Sequence, residues 1–206
     1  MIFMNYLKNI LLGITLIFLV GCQSQPEVLF ENINVGDNLE ACLAKGAVQY
    51  FYDDENTFKL ANGNIANSYF TRNTVKFDEH KIVKELYFLF EQKQTDKTAE
   101  EVFSYMTHYF CQRYQGMKTE KVNETKYENE IEYELSATKN IWETNKIKVE
   151  LISYTKTVDA TVKNKILQPY ADEKPILGSH TSAYWIRKTA IDNIEGKYVS
   201  LEIVTK

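Results

Sequence analysis

Lys126-Tyr127-Glu128-Asn129-Glu130-Ile131-Glu132-Tyr133-Glu134-Leu135-Ser136-Ala137 alternates apolar and charged residues almost without error. Tyr127, Ile131, Tyr133 and Leu135 fall on one side of the period, and Glu128, Glu130, Glu132 and Glu134 on the other. A period of two marks a strand with one buried face, so the stretch predicts a β-strand over 126–137. It would set four carboxylates on one face, with neighbours about 7 Å apart. Such crowding is stable only in water or opposite cations, and Lys146 and Lys148 on the next strand supply two. Glu128, Glu130, Glu132 and Glu134 are therefore expected to form a solvated outer face or a docking surface for a basic partner.

The flanking sequence extends this pattern. Residues 146–154 read as a strand pairing back on 126–137, with 142–145 in the connection. Residues 183–191 and 197–204 also read as strands. In the last, Val199, Leu201 and Ile203 oppose Tyr198, Ser200, Glu202 and Val204. Residues 163–178 are ambiguous, because Pro169 and Pro175 interrupt them. Upstream, 99–115 reads as a helix with Phe103, Met106, Phe110 and Tyr114 as its core stripe. Thr98 and Glu101 form a capping box, and Gly116 follows the end. Strands are expected at 57–60, 68–77 and 81–91, with Asn62-Gly63-Asn64 as a hairpin turn. A first helix is expected over 38–45, with Asp37 as N-cap, Glu40 completing a box and Gly46 at the C-terminal end.

Every link between strands is short, which implies antiparallel pairing. The expected fold class is α+β: an antiparallel β-sheet with two helices packed on one face. A single domain is expected over 35–206; the helix-then-strands order occurs twice, which makes 35–95 and 96–206 candidate halves of it.

The chain carries 24 basic and 28 acidic residues, net −4. That balance disfavours a nucleic-acid footprint, which needs clustered positive charge. A hydrophobic content of 44% with 13% aromatic residues supports a packed core.

Residues 10–20 contain no charge and Lys8 precedes them, giving a basic n-region and an apolar h-region of eleven residues. A helix that long rises about 16 Å, roughly half of a hydrocarbon core, so it is too short to span a membrane stably. Leu19-Val20-Gly21-Cys22 closes the run. These four residues resemble the lipobox of bacterial lipoproteins. The resemblance implies that residues 1–21 are a removed signal peptide and that Cys22 becomes the acylated N-terminus. Residues 22–34 would be a polar tether, and two or more acyl chains give stable attachment. Gln23 after the cysteine implies the periplasmic side of the outer membrane in a Gram-negative cell.

Removing Cys22 leaves Cys42 and Cys111. An even pair in an exported protein predicts a disulfide, here between two helices. The sequence contains no Gly-x-Ser-x-Gly, His-Glu-x-x-His, P-loop or Rossmann pattern. His80 is expected in a solvated turn and His108 on the exposed side of its helix. His180 lies in a hydroxyl-rich loop, and a hydrolase would need it beside a nucleophile and a carboxylate. Asp53-Asp54-Glu55-Asn56 lacks the alternate spacing of a calcium loop and reads as a solvated turn. Tyr50-Phe51-Tyr52 and Tyr184-Trp185 sit beside loops. No catalytic residue, metal or cofactor is assigned.

Val35-Gly36-Asp37-Asn38-Leu39, followed by a short helix and hairpins, is similar to a small-lipoprotein pattern. The SmpA/OmlA group and the β-lactamase-inhibitor-protein-like fold both place a Gly-led helix before an antiparallel sheet. This implies protein binding rather than catalysis. The expected function is a lipid-anchored envelope protein with a non-enzymatic binding or scaffolding role and an envelope or toxin protein as partner. The alternatives are an immunity or inhibitor lipoprotein that neutralises a toxin or hydrolase, an envelope hydrolase built around His180, and a small-molecule- or ion-binding lipoprotein.

Overall fold

The computed structural model describes residues 33–50, 55–61, 64–65, 68–173 and 182–206, and among these it has ten strands and four helices. The signal-like segment, Cys22, Asp53, Asp54, the Asn62-Gly63 turn and His180 lie outside the described residues. In chain order the elements are α1 (Leu39–Ala44), β1 (Val48–Tyr50), β2 (Thr57–Leu60), β3 (Asn64–Ile65), β4 (Ser68–Tyr69), β5 (Arg72–Phe77) and β6 (Val83–Glu91). There follow α2 (Ala99–Cys111), β7 (Lys118–Glu128), β8 (Ile131–Glu143), β9 (Ile147–Thr157), α3 (Ala160–Leu167), α4 (Ala183–Ile194) and β10 (Gly196–Thr205). Eight strands form one antiparallel sheet in the order β1-β2-β5-β6-β10-β9-β8-β7, while β3 and β4 pair separately. Val35–Lys206 makes one compact unit. The α+β class and the antiparallel pairing are as the sequence predicts.

Local signals set the helix ends. The N-cap of α1 is Asn38 rather than Asp37: its Oδ1 accepts from the Ala41 amide at 2.8 Å. Gly46, at φ +65°, lets the chain leave α1. Its amide donates to Leu43 O and that of Ala47 to Cys42 O, the two bonds of a Schellman motif. The α2 capping box forms as expected, with Glu101 N donating to Thr98 Oγ1 at 3.1 Å and Thr98 N to Glu101 Oε2 at 2.7 Å. The buried stripe of α2 is Ala99, Val102, Met106 and Phe110, so Val102 replaces Phe103 in the expected set.

One sheet face carries the main core. Val199, Leu201 and Ile203 of β10 are fully buried, as are Leu86, Phe88 and Phe90 of β6 and Leu151 of β9. A bulge at Lys76/Phe77 sets Phe77 opposite Val83 and leaves Lys84 over. The register parity therefore switches there, and both Val83 and Leu86 reach the core. Helix α2 lies on this face: Phe110 meets Trp142 of β8 at 5.4 Å, and Asn140 Nδ2 donates to Thr107 Oγ1 at 3.0 Å. Buried Asn140 also accepts from Thr119 Oγ1 of β7 at 2.9 Å, tying the last strand to the helix.

The opposite face is not bare, and here the structure departs from helices on one face only. Residues 183–191 are not a strand but most of α4, capped by Ser182 Oγ accepting from Trp185 N. Ile191 and Ile194, one helical turn apart, pack with Val158, Ile131 and Tyr133, and α3 adds Val162, Ile166 and Leu167. Tyr133 and Trp142 have opposite parity along β8, so this second cluster lies on the face away from α2.

The opening stretch folds differently from its prediction. Asn129 (φ 51°) and Glu130 (φ 66°) form a two-residue turn with two left-handed residues, and Glu128 pairs with Ile131 across it. Residues 126–137 are thus the end of one hairpin and the start of its return. Tyr127 lies opposite Glu132 and Thr125 opposite Glu134, so Glu132 and Glu134 face one side and Glu128 the other. The four-carboxylate ladder does not exist as one row.

Cys42 and Cys111 are both free thiols, and the expected bridge between them is not formed. Cys42 is fully buried on α1 beside β1, where burial pushes its thiol pKa up. Cys111 is exposed at the end of α2, which lies over β9 and β10. Its sulfur is 3.8 Å from Met117 Sδ. The cysteine count carried no information about which element each sulfur would pack against.

Glu130 adopts a conformation that costs an L-residue roughly 1–2 kcal/mol and glycine nothing. Glu130→Gly is expected to stabilise the protein by about 0.5–1 kcal/mol after glycine's larger unfolded-state entropy is counted, raising Tm by about 2–3 °C. A fall in Tm would show that the Glu130 side chain contributes more than its backbone strain costs.

Candidate functional site

The second face supplies the site. The α3–α4 cluster covers the end near Ile131 and stops at Tyr198, whose hydroxyl donates to Ile194 O at 3.3 Å. Beyond it the registers align rows across the strands. One row runs Thr74, Tyr87, Glu202, Glu150, Ile141; its neighbours hold Glu85, Val204 and Lys148 on one side and Leu89, Ser200 and Ile152 on the other. None of these residues belongs to the helix-covered cluster.

Charge on this face is patterned. Glu150 lies between Lys148 at 2.5 Å and Lys139 at 3.3 Å. Burial alone would raise its carboxyl pKa, but the hydrogen bonds and charges of these lysines hold it below the usual range. Glu85 pairs with Lys76 at 2.8 Å. Glu202 sits between these two carboxylates on the central strand, and no ion pair to it forms among the described residues. Burial, followed by the charges of Glu85 and Glu150, pushes its pKa up; Lys76 and Lys148 oppose that more weakly.

One aromatic ring adjoins this carboxylate: Tyr87 is the cross-strand neighbour of Glu202, while Tyr154 and Tyr198, stacked at 5.1 Å, lie two rows further along the same face. Burial, reinforced by the other tyrosines and Glu91, raises the Tyr154 hydroxyl well above its ordinary value, so it stays a donor. Lys156 Nζ lies 5.1 Å above the Tyr133 ring and 2.9 Å from Glu128. The arrangement is a partly desolvated carboxylate beside the Tyr87 ring, with the Tyr154–Tyr198 stack further along the same face. Chemically, it can accept a cation and cover the alkyl stem of that cation with aromatic surface.

The residues singled out by sequence lie elsewhere. Glu128 belongs to the edge hairpin and bonds Lys156. Glu130 is in the turn, while exposed Glu132 accepts from the Tyr127 hydroxyl at 2.5 Å and Glu134 is exposed. Lys148 neutralises Glu150 instead of the expected ladder. His80 is exposed in an Asp78-capped turn, and exposed His108 lies 2.9 Å from Gln112 Nε2. Lys81 Nζ bonds Asn56 Oδ1 at 2.8 Å, so the described part of the acidic loop is tied to the β5–β6 turn. Among the described residues no group of three His, Cys, Asp or Glu side chains is placed to hold a metal. No described helix is long and apolar enough to cross a membrane. The site residues Tyr87, Glu150, Tyr154 and Glu202 were visible as strand positions, but nothing in the sequence said that β10 would bring them together.

No protein-family model, no curated protein and no solved structure matches the chain.

A raised carboxyl means that native Glu202 keeps its proton to higher pH than the unfolded chain does. Stability therefore falls as pH rises from the unfolded value through the native one. Glu202→Gln is expected to raise Tm at neutral pH, with the gain shrinking towards zero as pH is lowered below 4.5, the ordinary glutamate value. A lower Tm for the variant at neutral pH would contradict this electrostatic assignment.

Proposed function

We propose that this chain is a lipid-anchored cell-envelope protein, held to the bilayer through acylated Cys22, that binds a partner protein instead of catalysing a reaction. The lipobox at residues 19–22 supports the location, and Gln23 favours the periplasmic side of the outer membrane in a Gram-negative cell. The part of this sheet face around Glu202 and Tyr87 is the binding surface. The observation that carries this reading is Glu202, a half-buried carboxylate with Glu150 directly across the ladder and Glu85 one row along, to which no described cation pairs. A lysine or arginine from a partner would relieve that repulsion; Tyr87 offers an amphipathic ring beside it, and Tyr154 and Tyr198 extend the aromatic surface along the same face. The partner surface is accordingly basic, consistent with the mildly acidic chain.

Two measurements test the halves separately. Cys22→Ser in the full chain is expected to move the protein from the membrane fraction to the soluble fraction; retention in the membrane would refute the anchor. In pull-downs from envelope extract, the full chain is expected to retain a basic partner that Glu202→Lys loses and Glu134→Lys keeps. Equal capture by all three would place the binding surface off this face.

A further inference from the structure

The sheet ends on one side in β1, three residues long, and on the other in β7, eleven residues long. No described element lies beyond β7, and ten of its eleven residues are exposed. It contains no proline, and its register with β8 runs from Lys118 to Glu128 without a bulge. The devices that usually blunt a sheet edge are thus missing, apart from charge. The charges have a particular order: Lys118-Thr119-Glu120-Lys121-Val122-Asn123-Glu124-Thr125-Lys126-Tyr127-Glu128.

The hairpin fixes which backbone groups are available. Glu128 and Ile131 close a two-residue turn, and such a closing pair exchanges both its hydrogen bonds. Alternation along the strand then directs the amides and carbonyls of residues 119, 121, 123, 125 and 127 away from β8. A second antiparallel strand can engage only that set.

We propose that β7 pairs with β7 of a second copy of this chain, antiparallel about a two-fold axis at Asn123. In that register Asn123 meets itself, Lys121 meets Thr125 and Thr119 meets Tyr127. Every outward backbone group finds an outward partner, giving about ten N–H···O bonds. Lys118 falls opposite Glu128, and Glu120 opposite Lys126, each pair occurring twice by symmetry. These are non-hydrogen-bonded pairs of the new ladder, where side chains approach most closely. No like charges face each other. A shift of one residue either way loses this. Centring on Val122 sets Lys118 against Lys126 and Glu120 against Glu124, and centring on Glu124 sets Glu120 against Glu128, all like-charge contacts that destabilise. The edge is therefore complementary to itself in the one register that pairs all eleven of its residues, which commits it to a copy of this chain over an unrelated strand. Lys126 and Glu128 already contact Glu124 and Lys156 within the chain, so the new pairs extend those contacts into a charge network.

The test uses the full chain in detergent. Sedimentation is expected to show a dimer, with Glu120→Lys weakening association at least tenfold and Glu120→Lys/Lys126→Glu restoring it. A second arm introduces single cysteines on a Cys111→Ser background, which removes the exposed native thiol. Asn123→Cys places two Cα atoms about 5.5 Å apart, within disulfide range, and is expected to cross-link under mild oxidation. Thr125→Cys places them about 14 Å apart and is expected not to. A monomer at concentrations up to about 100 µM, failure of the charge swap to restore association, or equal cross-linking at 123 and 125 would each overturn the proposal. If Glu120→Lys fails to fold, the cysteine pair alone decides.

Discussion

The two meanders of this sheet meet only through its C-terminal strand. β1, β2, β5 and β6 pair in sequence, and β7, β8 and β9 pair in sequence; β10 enters between β6 and β9. It registers with β6 from Tyr198 to Val204 and with β9 from Gly196 to Thr205. Val199, Leu201 and Ile203 then fill the middle of the core face from the middle of the sheet. The last ten residues of the fold are thus structurally central, and the partners they join are over a hundred residues apart in sequence on the β6 side. Closing such a non-local pairing costs chain entropy before it gains contacts.

The same strand creates the site. Its alternate residues Tyr198, Ser200 and Glu202 emerge on the opposite face between Tyr87 of β6 and Tyr154 and Glu150 of β9. Pairing of β10 with β6 and β9 brings Glu202 beside Glu150 and forms the Tyr154–Tyr198 stack. The second helix pair adds a boundary: α4 leads directly into β10, and Tyr198 bonds back to the helix end at Ile194. The α3–α4 cluster therefore covers that face only at the end near Ile131.

Local signals were legible and long-range ones were not. The Thr98–Glu101 box, the α2 helix, Gly46 and the β10 alternation could all be read because neighbouring residues determine them. Residues 118–125 of β7 were invisible because an edge strand solvated on both sides has no apolar period to show. The turn at Asn129-Glu130 was hidden because it lacks glycine, so alternation ran through it unbroken and suggested a ladder that the chain folds in two. Residues 183–191 misled because Tyr184, Trp185, Ile186 and Thr189 favour strands, whereas Ser182 as a cap and burial of Ile191 and Ile194 one turn apart impose a helix. The candidate site was legible as residues on strands but not as a cluster, since strand order decides which rows form.

Native-state hydrogen exchange resolved to single amides tests the centrality of β10 most directly. If β10 closes the fold, the amides of Val199, Leu201 and Ile203 exchange only through global unfolding, at the same free energy as the core amides of β6 and β9, while those of β7 exchange through smaller openings. If instead β10 exchanges by a lower-energy opening while β6 and β9 stay protected, the two meanders hold without it and the account is wrong.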